Sequence, residues 1–166
     1  MKDTEVREAW AMWSVEEAGR EDAEEILSLQ QQAFQANQKH YDVLLPEMAE
    51  TLPELLDDMD DCHVLVARDQ GRIVGAIRYR ISGSTCHAYR LAVDPAYAHL
   101  DIGRSLMWAV EQRAMADEEC REIVIITRLR DAPAILFSLK MGYRPFQLMV
   151  DREHQMDAIR FAKRLR

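Results

Sequence analysis

Long apolar runs and an organised set of cysteines are both missing from this chain of 166 residues. No window approaches the roughly 18 uninterrupted apolar residues of a membrane span, and the first residues lack the basic-then-apolar order of a signal peptide. The three cysteines, Cys62, Cys86 and Cys120, form no C-x-x-C pair, which argues against a disulfide framework or a zinc ribbon. We therefore expect a cytoplasmic protein with reduced thiols, no metal site and no membrane partner.

Charge is unevenly distributed along the chain. Residues 1–61 contain 17 acids and 4 bases, whereas residues 62–166 contain 12 acids and 17 bases. One interpretation is a solvated acidic helical surface. The other is that the acidic part lies beside a cationic acceptor while the basic part binds an anionic ligand. The basic last residues on an acidic protein are too weak a footprint to predict nucleic-acid binding.

Hydrophobic periodicity predicts an α/β protein. Helical spacing covers residues 21–34, 48–56, 102–114 and 132–141, and strand patterns cover residues 63–68, 73–81, 86–93, 123–127, 143–150 and 158–165. The first three strands predict an antiparallel meander, and residues 86–127 predict a parallel β-α-β crossover. Because no linker, repeat or low-complexity tract interrupts the chain, we expect a single domain over residues 1–166. Trp108 lies off the buried stripe of its helix and is a candidate contact for another element or for a second subunit in a homodimer.

Residues 86–104 are the segment most informative about function. The predicted strand 86–93 ends at Asp94 and Pro95, and a short loop leads into a predicted helix that begins with Ile102, Gly103 and Arg104. A helix start has unpaired N–H groups and a positive dipole end, which together bind phosphate oxygens. The loop is therefore a candidate pyrophosphate-binding site.

Here the chain resembles the GNAT superfamily of acyl-CoA-dependent N-acetyltransferases. The resemblance follows the order of elements over nearly the whole chain, and is sharpest in residues 91–106, LAVDPAYAHLDIGRSL, and residues 134–143, AILFSLKMGY. It implies a GNAT-like mixed sheet with a central β-α-β unit and helices on both faces. It also implies acetyl-CoA as co-substrate, no metal, and direct attack on the thioester by a primary amine of a small molecule or peptide.

The resemblance implies that the cofactor lies along the end of the strand, the loop and the helix start. These residues are Leu91, Ala92, Val93, His99, Leu100, Asp101, Ile102, Gly103, Arg104 and Ser105. Asp101 stands where the family usually has the first glycine of its loop, and Ala98 where it usually has a basic or amide residue. The Asp101 carboxylate either repels phosphate or caps the helix and occupies the same N–H groups. Arg128 and Arg130 either approach the adenosine phosphate or are surface charges.

Catalytic candidates follow from the same resemblance. Ser138 stands where the family often has a tyrosine that protonates the departing CoA thiolate, and a serine hydroxyl is a far weaker acid. His87 and Tyr89 on the strand are alternative donors, and His87 is also our candidate base, because residues 86–93 contain no carboxylate. An outward-facing strand histidine is the alternative for His87. The departures at Asp101 and Ser138 leave a second function open: a catalytically impaired GNAT-like domain that binds acyl-CoA or a protein partner.

Overall fold

The structure, a computed structural model, describes residues 13–166. One sheet of seven strands runs in the order β1-β2-β3-β4-β5-β7-β6. The strands are β1 (Ser14–Glu17), β2 (His63–Asp69), β3 (Arg72–Ser82), β4 (Thr85–Val93), β5 (Glu122–Arg128), β6 (Arg144–Met149) and β7 (Ala158–Arg164). The α-helices are α1 (Ala23–Gln38), α2 (Pro46–Ala49), α3 (Leu52–Asp61), α4 (Ile102–Ala116) and α5 (Ala132–Lys140), and 3-10 turns lie at Arg20–Asp22 and Pro95–Tyr97.

Strand directions confirm the predicted topology. Strands β2, β3 and β4 pair antiparallel, as the meander requires. Strand β5 pairs parallel with β4 after the crossover through α4, and then antiparallel with β7. The sheet is therefore mixed, with the β4-α4-β5 unit at its centre.

Helices cover both faces of the sheet. Ala23, Ile26 and Leu29 of α1 and Leu55 of α3 are buried against one face. Helices α4 and α5 cover the other face, where the predicted apolar stripe of α4 is fully buried: Ile102, Leu106, Met107, Val110 and Ala114. These two layers are those of the expected α/β fold of GNAT type.

The predicted helix over residues 48–56 is in fact two helices. Pro46 opens α2, and Pro53 stands in the first turn of α3, where a missing N–H costs no helical hydrogen bond. Thr51 caps α3: its hydroxyl accepts from the N–H of Glu54 at 3.4 Å, and its own N–H donates to the Glu54 carboxylate at 2.8 Å. Glu50 between the two helices has an extended backbone.

Two further expectations differ from the structure. Strand β1 was not predicted, because four residues with a mostly exposed burial pattern carry almost no alternation. Glu111 is a charged residue off the apolar stripe of α4, where the helical pattern places side chains toward solvent, yet it is only 8% exposed. It accepts hydrogen bonds from the Tyr143 hydroxyl at 3.0 Å and the Lys163 ammonium at 3.0 Å, which satisfies the buried carboxylate. Tyr143, which follows Gly142, is itself buried and packs in the core.

Within residues 13–166, no helix is both long enough and apolar enough to cross a membrane.

Candidate active site

The parallel strands β4 and β5 separate in the middle of the sheet. Their pairing covers three residues of each strand and ends at His87 and Val124. Beyond that point Arg90 has a left-handed backbone, with φ of 55°, and the register between β4 and β3 shifts. An extra residue of this kind is a β-bulge, which bends and twists its strand. A cleft of about 630 Å³ opens where the strands diverge.

The start of α4 presents free backbone donors. The N–H groups of Ile102, Gly103 and Arg104 have no hydrogen-bond partner within residues 13–166, and the first bond runs from the N–H of Ser105 to the Asp101 carbonyl at 3.0 Å. Asp101 occupies the N-cap position, but its carboxylate accepts no capping hydrogen bond. Of the two alternatives for Asp101, the one in which its carboxylate caps the helix is therefore not found, and these donors are available to an anion.

Asp101 has the backbone conformation of a glycine. Its φ and ψ are 60° and 22°, in the left-handed region. A Cβ makes this region costly, whereas glycine enters it freely. Aspartate is one of the few other residues that visit it. The loop therefore keeps the geometry of a glycine loop while adding a negative charge at the helix start.

The loop before Asp101 is held by its own hydrogen bonds. The Asp94 carboxylate accepts from the N–H of Ala96 at 2.9 Å, and the N–H of Leu100 donates to the Tyr97 carbonyl at 3.1 Å. Leu100 packs against the core, whereas His99 is exposed. This part of the expected binding loop is thus positioned by the chain itself.

The helix start packs directly on the end of β4. A Cβ built on Gly103 would lie 3.7 Å from the side chains of both Leu91 and Val93. One strand further back, a Cβ on Gly75 would lie 2.6 Å from Ile102 Cγ2, so only glycine lets β3 approach α4 so closely. The expected binding segments of β4 and α4 therefore adjoin each other. Ala92, between Leu91 and Val93, is buried on the opposite face.

A second groove, of about 800 Å³, runs along the outer side of α4. Arg104, Ser105 and Trp108 line it from α4, and Lys140 lines it from the end of α5. Trp108 is 59% exposed, which agrees with its predicted position off the buried stripe. Arg104 and Lys140 contribute two positive charges to this groove, which Asp101 at the helix start also lines.

Of the three catalytic candidates, only His87 presents a free side chain to the cleft. It is exposed at the last paired position of β4, and its ring has no hydrogen-bond partner within residues 13–166. The Tyr89 hydroxyl donates to the Asp58 carboxylate at 2.9 Å. Burial, together with the neighbouring Cys62 and Asp58, raises the pKa of Tyr89 well above its ordinary value, which makes it a poorer proton donor.

Ser138 lies beneath the cleft rather than in it. It is 2% exposed, and its hydroxyl donates to the Ala134 carbonyl at 2.9 Å. The Thr127 hydroxyl, at the floor of the cleft, is 3.3 Å away. Ser138 thus links α5 to β5 through Thr127. It does not lie in the cleft with His87 and Tyr89 of β4.

A buried network of arginines and acids borders the cleft, and sequence reasoning missed it. Arg78 is 2% exposed and binds both Glu50 oxygens at 2.7 Å, Asp58 at 3.1 Å and Gln30 at 2.9 Å. Burial alone would raise the pKa of Glu50, but the hydrogen bonds from Arg78 and Gln30 outweigh it and hold the pKa below its usual value. The excess of acids before residue 62 was the only feature of the sequence that pointed to this network, and it does not show which acid pairs with which arginine.

Arg128 and Arg130, for which an adenosine-phosphate contact and a surface charge were the two alternatives, both bind groups of the chain itself. Arg128 binds both oxygens of Glu47, at 2.8 and 2.9 Å. Arg130 donates to the His40 carbonyl at 2.8 Å and lies over the Tyr41 ring. Both arginines therefore attach the end of β5 to the chain around α2.

These features suit a long anionic ligand that enters between two strands. Free N–H groups at a helix start bind phosphate oxygens, and the edge of β4 that faces the cleft has no strand partner beyond His87. An extended amide-containing arm can pair with such an edge as an added strand does. No group of three or more His, Cys, Asp or Glu side chains within residues 13–166 is arranged to hold a metal ion.

Solved structures with this fold include ligand complexes. The chain is similar to the PaiA N-acetyltransferase of Thermoplasma acidophilum in complex with coenzyme A, with a TM-score of 0.75, 18% identity, and coverage of 92% of this chain and 98% of that chain. It is also similar to YncA, a putative acetyltransferase of Salmonella typhimurium with acetyl-CoA, with a TM-score of 0.72, 16% identity, and coverage of 93% and 95%.

A third similar structure is the ribosomal-protein-S18-alanine N-acetyltransferase of Escherichia coli, with a TM-score of 0.71, 14% identity, and coverage of 93% of this chain and 94% of that chain. No curated protein sequence matches the chain. The family model for the acetyltransferase (GNAT) family matches residues 12–143. Because this match spans most of the chain and agrees with the fold, the protein belongs to the GNAT acetyltransferase family.

Proposed function

We propose that this protein is an N-acetyltransferase that transfers the acetyl group of acetyl-CoA to a primary amine of a small molecule or peptide by direct attack. One observation supports this above all: the cleft between β4 and β5 adjoins a helix start whose N–H groups are free. A donor that carries both phosphates and an amide arm fits this combination of features.

The chain's own residues would hold acetyl-CoA at two places. The N–H groups of Ile102, Gly103 and Arg104 would bind the pyrophosphate, with the Arg104 and Lys140 side chains nearby in the outer groove. The backbone of residues 91–93 would pair with the pantetheine arm along the unpaired edge of β4. Acetyl-CoA supplies the activated acetyl thioester, and the enzyme's contribution is mainly to position it.

The transfer needs two proton movements. The amine nitrogen forms a bond to the acetyl carbonyl carbon while the bond between that carbon and sulfur breaks. We assign His87 as the base that receives the amine proton, because its ring is exposed in the cleft. The Tyr89 and Ser138 hydroxyls already donate within the chain, so we assign protonation of the departing thiolate to water in the cleft.

A second candidate function is a GNAT-like domain that binds acyl-CoA without transferring the acetyl group. Two observations favour it: the Asp101 carboxylate at the helix start, and the burial of Ser138 at the position where the family often has a tyrosine. Both candidates require cofactor binding, and only the first requires turnover.

Calorimetry with acetyl-CoA, with free CoA for comparison, tests the shared requirement. We expect micromolar binding, and an absence of binding at millimolar acetyl-CoA would contradict both functions. Release of CoA thiol is then measured with polyamines, amino acids and peptides as acceptors. Release stimulated by an amine would support the transferase, whereas tight binding with no stimulated release would support the binding domain.

A further inference from the structure

The acids that line or border the cleft are already paired with donors of the chain. Both oxygens of Glu47 accept from Arg128, at 2.8 and 2.9 Å, and the Glu47 side chain is only 8% exposed. Both oxygens of Glu50 accept from Arg78 at 2.7 Å. These carboxylates stabilise arginines and offer little to a cationic ligand.

The remaining two acids of the cleft are engaged as well. One oxygen of Asp131 accepts from the backbone at the start of α5 at 3.1 Å, and the other accepts from Asn37 at 2.9 Å. One oxygen of Asp151 accepts two backbone N–H groups of its own turn, at 3.0 and 3.1 Å. The acidic first third of the sequence suggested an acceptor drawn by negative charge, but most carboxylate oxygens that reach the cleft already accept hydrogen bonds, and the second oxygen of Asp151 lies 3.5 Å from His154 Nδ1.

Arg90 is the exception among these charged groups. Its side chain makes no hydrogen bond within residues 13–166, and its Nε is buried without a partner. Its nearest acids are Glu47, 3.4 Å from Nη1, and Glu50, 3.8 Å from Nε. Each of these carboxylates already serves another arginine. A guanidinium has five N–H donors that match a carboxylate in two parallel bonds, and the Arg90 side chain, 23% exposed, lines the cleft.

The backbone at Arg90 points to the same conclusion. A left-handed conformation is uncommon for a long side chain and costs free energy, and such residues cluster at functional sites. Arg90 lies among acids from α2 and from the residue between α2 and α3, on the face that α1 and α3 cover, whereas the start of α4 packs on the other face. A ligand bound to Arg90 would thus reach the gap from the side opposite the cofactor.

We propose that the acceptor carries a carboxylate as well as its amine, as a free amino acid does, and that Arg90 binds this carboxylate. The inference rests on the proposed acetyl transfer and specifies its substrate class. The carboxylate would accept from the Nη donors of Arg90 in two parallel bonds and orient the amine in the cleft beside His87. Arg90 is a residue that determines specificity, and it takes no part in the proton transfers.

The test uses matched acceptors: an amino acid, its carboxamide, and the corresponding amine that lacks the carboxyl group. With saturating acetyl-CoA, kcat/KM for the amino acid should exceed that of the other two at least tenfold. Arg90→Gln should remove this preference by lowering kcat/KM for the amino acid at least tenfold and leaving the carboxamide within about twofold. Arg121→Gln is the control for net charge, because Arg121 binds only backbone carbonyls beyond the end of α4.

Equal or better turnover of the carboxamide by the wild-type protein would overturn the inference while leaving acetyl transfer intact. If no amine is acetylated, calorimetry on the protein saturated with CoA decides the question separately. Binding of the amino acid that Arg90→Gln weakens at least tenfold would uphold the carboxylate site, and no binding, or equal binding by both proteins, would overturn it. If Arg90→Gln does not fold, as judged by circular dichroism, the wild-type preference among the three acceptors decides alone.

Discussion

Removing the negative charge at the start of α4 should strengthen cofactor binding. The Asp101 carboxylate is exposed and accepts no hydrogen bond from the helix, so its removal breaks no hydrogen bond or ion pair within residues 13–166. A phosphate held by the free N–H groups would lie close to this carboxylate, with charges of the same sign. Asp101→Asn removes the charge and keeps a residue that tolerates the left-handed backbone. Asp101→Gly removes both the charge and the backbone strain.

The expected effect follows from simple electrostatics. Two unit charges about 4 Å apart interact by roughly 1 kcal/mol in water, which corresponds to an acetyl-CoA affinity about fivefold higher for either variant. For Asp101→Gly, relief of the left-handed strain contributes roughly 1 to 2 kcal/mol. The greater freedom of glycine in the unfolded chain opposes this by roughly 0.5 to 1 kcal/mol. The free energy of unfolding of Asp101→Gly should therefore rise by roughly 0 to 1.5 kcal/mol.

Calorimetric titration with acetyl-CoA at low and at high salt measures this effect. Glu119→Gln is the matched control, because it removes one exposed acid beyond the opposite end of α4, about 20 Å from Asp101 by the rise of the helix. We expect no change in affinity for this control. The gain for Asp101→Asn should shrink at high salt, because salt screens exposed charges. An affinity for Asp101→Asn equal to or below that of the wild type would refute the electrostatic argument.

Four further outcomes can be measured. Gly75→Ala should lower the free energy of unfolding, measured in urea, by about 1 to 3 kcal/mol and weaken acetyl-CoA binding, because the added Cβ would lie 2.6 Å from Ile102. An unchanged urea midpoint would contradict the close approach of β3 and α4. Ser138→Ala should cost about 1 kcal/mol of stability with kcat within about threefold, and a hundredfold loss of kcat in a folded variant would identify Ser138 as the proton donor after all. His87→Gln should lower kcat/KM at least about a hundredfold with acetyl-CoA binding retained, and full activity would exclude His87 as the base. Because folding lowers the pKa of Glu50, the stabilisation by this carboxylate is complete above its ordinary pKa of 4.5 and is lost as the pH falls through the lower folded pKa. Glu50→Gln should therefore reduce the loss of unfolding free energy over that pH range, and a pH profile identical to that of the wild type would contradict this role of Glu50.

The architecture could be predicted because its elements carry strong local signals. The pattern of residues 73–81 predicted a strand and the apolar stripe of α4 predicted its buried face, and both elements are confirmed, although residues 73–79 of the strand are buried on both faces of the sheet. Strand β1 has four residues, three of them exposed, so no pattern marks it. The burial of Glu111 could not be predicted either, because its partners, Tyr143 and Lys163, come from distant parts of the chain.

The sequence predicted which segments form the candidate site, but it did not predict the backbone angles and side-chain contacts within the site. The order of β4, the loop and α4 placed the free N–H groups correctly, because a helix start has them whatever its sequence. The left-handed backbone of Asp101 and Arg90 could not be predicted, since neither residue is a glycine. Whether the Asp101 carboxylate caps the helix depends on that backbone angle, and the sequence alone left both alternatives open.

The acids of α2 and of the residue after it couple the arginines of the cleft to one another. Glu47 binds Arg128 at 2.8 Å and lies 3.4 Å from Arg90, while Glu50 binds Arg78 and lies 3.8 Å from Arg90. A substitution at either acid therefore alters the surroundings of two arginines that come from different strands. Effects of substitutions within this group should not add, since residues that share partners are energetically coupled. A new acceptor preference would then evolve through paired replacements of an acid and an arginine, because a single replacement leaves a buried charge without its counterpart.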